Sequence, residues 1–193
     1  MTAPWLQPPH GHAATLARAV SAAVPVFTTD RLHLRAPALH DYPAYEAVFT
    51  SDRARYMGGP FDADEAFADF CQGIAGWMLR GSGMWTVTLK DHHDAIGWIF
   101  LWQELGDPEP ELGWVLTEAA ERMGYATEAA RAVVPHAIRL YGRGGFVSYI
   151  DAGNPPSVAV ATRLGARRDA QAEAAMADPD LVIYRHFGLP EGT

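Results

Sequence analysis

Residues 111–131, ELGWVLTEAAERMGYATEAAR, constrain this chain more than any other stretch. Leu112, Trp114 and Leu116 suit an apolar strand, with Gly113 as a bulge or close-approach point. A polar turn follows, and Met123-Gly124-Tyr125-Ala126-Thr127 opens a helix that continues through Ala129 and Val133. A strand feeding a helix N-terminus through small residues makes an anion site, because the free backbone N–H groups and the helix dipole point the same way. The pattern predicts a turn that holds a pyrophosphate.

The elements on either side can be placed by periodicity. Residues 1–25 are compositionally distinct, with prolines 4, 8 and 9, and are expected to form a flexible extension with a weak alanine-rich helix at 13–23. The His10-Gly11-His12 string has no third ligand nearby and belongs to that tail. Residues 26–193 read as one domain. Val26 to Arg35 reads as a half-buried strand, with Phe27, Leu32 and Leu34 on one face. Helical spacing covers Leu39–Phe49 and Asp62–Leu79, and the aromatic stripe of the second helix suits a core. Cys71, in that stripe, reads as a buried, inert thiol.

Met84–Leu89 and Ile96–Gln103 alternate as strands and should form an antiparallel meander with the 112–116 strand. The helix after the turn carries Pro135, which removes a backbone bond and should bend it or end it early. A strand at Phe146–Ile150, a helix at Val158–Leu164 capped by Asn154 and Gly165, and a strand at Leu181–Phe187 complete the order. The polar end from Gly188 is expected to fray.

Composition excludes several classes. With 193 residues the chain makes about one domain. A net charge of −8 argues against a nucleic-acid partner and is compatible with cationic substrates. One cysteine permits no intramolecular disulfide and suits a cytoplasmic setting. Neither a long uncharged apolar run nor a basic leader is present, so no membrane span or secretory signal is expected. The motifs of serine hydrolases, zinc proteases and Walker-type kinases are missing, and no metal is expected.

Three pieces in order resemble the GNAT acyltransferase superfamily, and within it the branch of ribosomal-protein N-terminal acetyltransferases. They are TDRLHLRAP (29–37), ELGWVL with MGYATEAAR (111–131), and DAGNPPSVAVATRLGA (151–166), spanning about residues 28–188. The resemblance implies an α/β fold with a mostly antiparallel sheet, one splayed parallel pair and flanking helices. It implies acetyl transfer from acetyl-CoA to a primary amine, either a protein N-terminus or a small molecule, and it allows a homodimer. Val115, Leu116, Arg122, Met123, Gly124, Tyr125, Ala126, Thr127, Asn154 and Ser157 are implied to bind the cofactor, the N–H groups near Val115 and Leu116 holding pantetheine and polarising the carbonyl.

Two departures stand out. Glu121 occupies a place where the superfamily has Gln or Arg, and Arg122 occupies the first glycine's place. An acidic Glu121 repels a pyrophosphate unless it points away, and Arg122 could compensate by reaching the phosphates. Many members also carry a tyrosine as the acid for the departing thiolate, where this chain has Ala161. Attack on a thioester needs a neutral amine, so a base helps, and Glu111 is the candidate. The acceptor should enter beside the ends of the Glu111 and Phe146 strands, under the helices of residues 38–80. An alternative is an acyl-CoA-binding protein of this fold with weak or lost catalysis; another acyl donor is a further alternative.

Overall fold

The computed structural model describes residues 3–188, so the polar end, beyond Gly188 itself, lies outside the described residues. A helix, α1 (Gly11–Ser21), precedes strands β1 (Phe27–Thr28) and β2 (Leu32–Arg35). Then come α2 (Tyr42–Phe49), α3 (Ala63–Leu79), β3 (Met84–Leu89), β4 (Gly97–Trp102) and β5 (Glu111–Leu116). The second half comprises α4 (Tyr125–Tyr141), β6 (Val147–Asp151), α5 (Pro155–Arg163), β7 (Arg167–Arg168), α6 (Ala170–Met176) and β8 (Leu181–Arg185). The strands form one sheet in the order β1-β2-β3-β4-β5-β6-β8-β7.

Strand β4, Gly97-Trp-Ile-Phe-Leu-Trp102, is buried along its whole length and explains the layering. Ile99 and Leu101 face one side and pack with Leu112, Val133 and Ala137, the last two from α4. Trp98, Phe100 and Trp102 face the other and pack with Tyr45, Phe49 and Phe70 from α2 and α3. Period-two alternation thus supplies two cores from one strand. Each fully buried aromatic of this kind contributes about 2–3 kcal/mol of transfer free energy.

All pairings but one are antiparallel. The exception, β5 with β6, has a single register partner pair, Glu111 opposite Val147. Beyond it the two strands part, leaving the C-terminal half of β5 without a neighbour on that edge. The meander of β3, β4 and β5 and the splayed pair stand where the sequence suggested.

Several expectations need correction. The stretch 26–35 is a hairpin, not one strand: Thr29 takes its Oγ1 to the Leu32 N–H at 2.9 Å and turns the chain at residues 29–31. Gly113 is no bulge, because β5 pairs with β4 in unbroken register from Glu111 to Leu116. Pro135 does not shorten α4, which runs to Tyr141 and ends at Gly142, whose φ is +80°. The packing of Val133, Val134 and Ala137 against the sheet outweighs one missing hydrogen bond. Cys71 faces solvent, since the buried face of α3 is carried by Ala66, Phe70 and Gly73.

β7 and α6 have no counterpart in the sequence reading. The alanine-rich α6 lacks a periodic apolar stripe and owes its start to the Asp169 carboxylate, which accepts from the Ala172 N–H at 3.0 Å. Ahead of the sheet, the Trp5 ring packs edge-on against Tyr42 and Phe67, and the Trp85 indole donates to the Pro25 carbonyl at 2.7 Å.

Candidate active site

The gap between β5 and β6 opens into a cleft of about 2010 Å³. It is lined by β5, the turn before α4, the N-terminus of α5 and the loops after α2 and β4. Ten of the sequence-predicted site residues border it: Glu111, Val115, Leu116, Arg122, Gly124, Tyr125, Ala126, Thr127, Asn154 and Ser157. Met123 does not; its side chain is 54% exposed, and it takes part through its carbonyl, which accepts from Arg31 at 3.0 Å.

The turn before α4 has the geometry of an anion nest. Arg122 stands at φ +61° and Gly124 at φ +80°, two left-handed residues that turn successive amides toward one side. No side chain caps α4, so the N–H groups of Tyr125, Ala126 and Thr127, its first three residues, are unpaired among the described residues. The left-handed φ of Arg122 is a conformation that glycine adopts without strain. Glu121 points away from the nest, into an ion pair with Arg53 at 2.5 Å; the same guanidinium donates to the Leu116 carbonyl at 3.0 Å. The departure that threatened the anion site is thereby neutralised.

Arg31 was not singled out in the sequence, and it organises this corner. Its Nε donates to Glu128 at 2.7 Å, its Nη1 to the Met123 carbonyl, and its guanidinium lies 4.5 Å from the Tyr125 ring centroid. Glu128 in turn accepts from Thr29 Oγ1 at 2.5 Å and from the Arg31 backbone N–H at 3.1 Å. These bonds to its charged form hold the Glu128 carboxyl below its ordinary pKa. The signal was present: Thr29 and Arg31 lie in the TDRLHLR piece, but only the hairpin brings them to α4.

Backbone alternation decides which amides β5 offers to the cleft. The Thr117 N–H bonds Ile96 of the β4 edge at 2.9 Å, whereas the Leu112 carbonyl faces β6 and accepts from Ser148 Oγ at 2.5 Å. Odd-numbered groups therefore face β4, and those of Trp114 and Leu116 face the gap. The Val115 N–H is turned to β4, which corrects the expectation of a free donor there; Val115 borders the cleft with its side chain. Ser148 also contacts His186 Nε2 at 2.9 Å, and burial pulls that imidazole down to a pKa of about 4. With its hydroxyl proton given to Leu112, Ser148 accepts from the Nε2–H tautomer. A side-chain bridge replaces the ladder where the strands part.

Glu111 sits at the closed end of the gap, opposite Val147, with its side chain on the α2–α3 face beside Trp102. Burial, aided by the nearby Glu104 and Asp107, pushes its carboxyl up to about 8. Glu104 is itself raised to about 7 by burial and by Asp69 and Asp107. Asp69, hydrogen-bonded by the Tyr45 hydroxyl, is raised as well, by burial. Among the tryptophans, Trp102 and Trp114 border the cleft, while Trp85 and Trp98 are fully buried and Trp77 spends its indole N–H on the Met84 carbonyl at 3.0 Å.

On α5, the Asn154 carboxamide oxygen accepts from the Ser157 N–H at 3.3 Å, a helix cap at the rim of the cleft. Ala161 is fully buried one turn after Ser157. Among the described residues no group of three His, Cys, Asp or Glu side chains is placed to hold a metal ion, and no helix is long and apolar enough to cross a membrane.

A sheet that opens at one parallel pair, a nest at the head of the following helix and a second helix flanking the gap define an acyl-CoA-dependent acyltransferase fold. The profile of the acetyltransferase (GNAT) domain matches residues 31–167, and the chain belongs to that family of acetyltransferases. The uncharacterized N-acetyltransferase YnaD of Bacillus subtilis (strain 168) is 29% identical over 148 residues, 74% of this chain and 82% of that one. The crystal structure of the acetyltransferase from Agrobacterium tumefaciens str. C58 is 37% identical and superposes with a TM-score of 0.78, covering 84% of this chain and 94% of that one. The ribosomal L7/L12 alpha-N-protein acetyltransferase RimL in complex with coenzyme A shares the fold at 20% identity, with a TM-score of 0.64 over 86% of this chain and 98% of that one.

Proposed function

We propose that the protein transfers acetyl from acetyl-CoA to a primary amine by direct attack. The observation that carries this reading is the continuity of one cleft from the nest of residues 122–127, along the open edge of β5, to the Glu111 carboxyl. The nest amides, with Arg122, hold the pyrophosphate; the Trp114 N–H and carbonyl and the Leu116 N–H hold the pantetheine as an added strand would, the Leu116 carbonyl being held by Arg53. A donor on the same edge polarises the thioester carbonyl.

Glu111, once ionised, takes a proton from the acceptor ammonium, directly or through water. The amine nitrogen bonds to the acetyl carbon as the carbon–sulfur bond breaks. The nitrogen then loses its second proton, and the thiolate takes one up, so the net release is one proton. Ala161 cannot supply the proton to sulfur. Ser157, one helical turn earlier on the same face and at the cleft wall, carries a hydroxyl that hydrogen-bonds the thiolate and relays it a proton from water in the cleft.

Release of free thiol from acetyl-CoA, followed over a panel of amines, tests the assignment. Turnover that falls in Glu111→Gln while acetyl-CoA affinity is kept supports it. Tight acetyl-CoA binding without turnover on any amine would instead identify an acyl-CoA-binding protein, the reading that Ala161 favours.

A further inference from the structure

The two ends of the cleft carry opposite charge. The nest end has Arg31, Arg53, Arg122, Arg131 and Arg163 against Asp30, Glu121 and Glu128, a positive excess. The other end, at the mouth of β5, has Asp69, Glu104, Asp107 and Glu111. None of these four carboxylates forms an ion pair among the described residues, whereas Arg31 is committed to Glu128 and Arg53 to Glu121. Crowded carboxylates without counter-ions are costly to ionise in a partly dry site, and the raised pKa values of Glu104 and Glu111 express that cost.

A second observation points to what relieves it. Trp102 borders this end, is only 8% exposed, and its indole N–H has no hydrogen-bond partner. Trp102 stands opposite Glu111 in the β4–β5 register, within reach of its carboxyl but not bonded to it, and a donor there favours the charged carboxylate. A donor left waiting beside a protonated acid suits a site whose occupant ionises that acid, and a cation does so. Phe49, Phe61 and Phe100 supply apolar walls around the same space.

We propose that the acceptor is a small aliphatic diamine or polyamine, its reacting amine beside Glu111 and a distal ammonium held among Asp69, Glu104 and Asp107. The methylene chain lies on the phenylalanine walls, and the ammonium finds carboxylates and ring faces in one place. A peptide N-terminus fits less well, because its amide groups need partners of both kinds and this end offers mainly carboxylates. This proposal rests on acetyl transfer to an amine, and its test separates the two.

With saturating acetyl-CoA, thiol release is compared for 1,4-diaminobutane, butylamine and a short peptide with a free N-terminus. A kcat/KM for the diamine at least about tenfold above butylamine is expected, falling toward parity as salt rises. Asp69→Asn should shrink that ratio. Equal values for the two amines, or a peptide preferred to both, would overturn the proposal and leave acetyl transfer standing. If no amine is turned over, acetyl transfer falls, and calorimetry on the coenzyme A complex decides the acceptor site. Diamine binding about tenfold tighter than butylamine supports the proposal; equal binding overturns it.

Discussion

Glu111→Gln should raise the stability of the protein at alkaline pH while removing most of its activity. In the folded chain this carboxyl is raised from an ordinary 4.5 to about 8, first by burial and then by Glu104 and Asp107. Between those values the folded state keeps a proton that the unfolded state has lost, so stability falls as pH rises. The penalty is absent below about pH 4.5, grows through the interval and is complete above about pH 8. At about 1.4 kcal/mol per unit, it amounts to about 3–5 kcal/mol. The neutral carboxamide of the variant cannot ionise and escapes it. For a chain of this size, about 2–4 °C of Tm accompanies each kcal/mol. The variant should therefore gain roughly 6–20 °C over the parent at about pH 9 and little at about pH 5, read by thermal melts of the two proteins in matched buffers. Taking the difference cancels the contributions of Asp69 and most of that of Glu104. The same variant should lose about 10²–10⁴-fold in kcat/KM, and the parent's kcat/KM should climb with pH toward about 8. A Tm difference that stays constant from about pH 5 to about pH 9 refutes the reasoning, because an ordinary, solvated carboxylate would behave that way.

Other residues of the cleft give independent tests. Arg31→Ala strands Glu128 and frees the Met123 carbonyl, so acetyl-CoA should bind about 10–100-fold more weakly by calorimetry, with a smaller effect on amine KM. Arg122→Gly relieves a left-handed side chain worth about 1 kcal/mol, and Tm should rise by a few degrees; losing the cation should still weaken acetyl-CoA by about 3–10-fold. Ser148→Ala leaves the Leu112 carbonyl and the His186 Nε2–H unpaired in the interior, at about 1–3 kcal/mol of stability in denaturant melts. Ser157→Ala should lower kcat about tenfold or more with acetyl-CoA affinity nearly kept, and a thioester with a more acidic thiol should recover part of the loss.

How much of this was readable from residues alone follows from the range of each interaction. The β5 strand, the turn at Gly124 and the Asn154 cap are local, and local patterns specified them. The hairpin at residues 29–31 was hidden because Leu32 and Leu34 continue the alternation started by Phe27, while the break is made by Thr29, whose N–H donates to the Leu32 carbonyl and whose hydroxyl accepts from the Leu32 N–H. Arg31 escaped for the same reason, since its partners Met123 and Glu128 are far along the chain. α6 escaped because alanine and polar residues carry no periodic signal, and Cys71 was misplaced because a stripe of aromatics on α3 is broader than the face that is buried. Pro135 was overvalued: a propensity rule met a helix already held by its packed face.

The departures from the family pattern are best understood as a pair. Arg122 in a glycine's place strains the nest and adds a cation to it; Glu121 in the place of a cation or amide adds an anion that Arg53 removes. Arg53 also fixes the Leu116 carbonyl, so the ion pair ties the end of β5 to the segment after α2. The acyl-CoA end thus keeps a positive excess, and four carboxylates without ion pairs among the described residues gather at the other end, around Glu111. A base that must be neutral when the cleft is empty and charged when an ammonium arrives needs such surroundings. Isolated in solvent, the same glutamate would be ionised at all times but too weakly basic to take a proton from an amine.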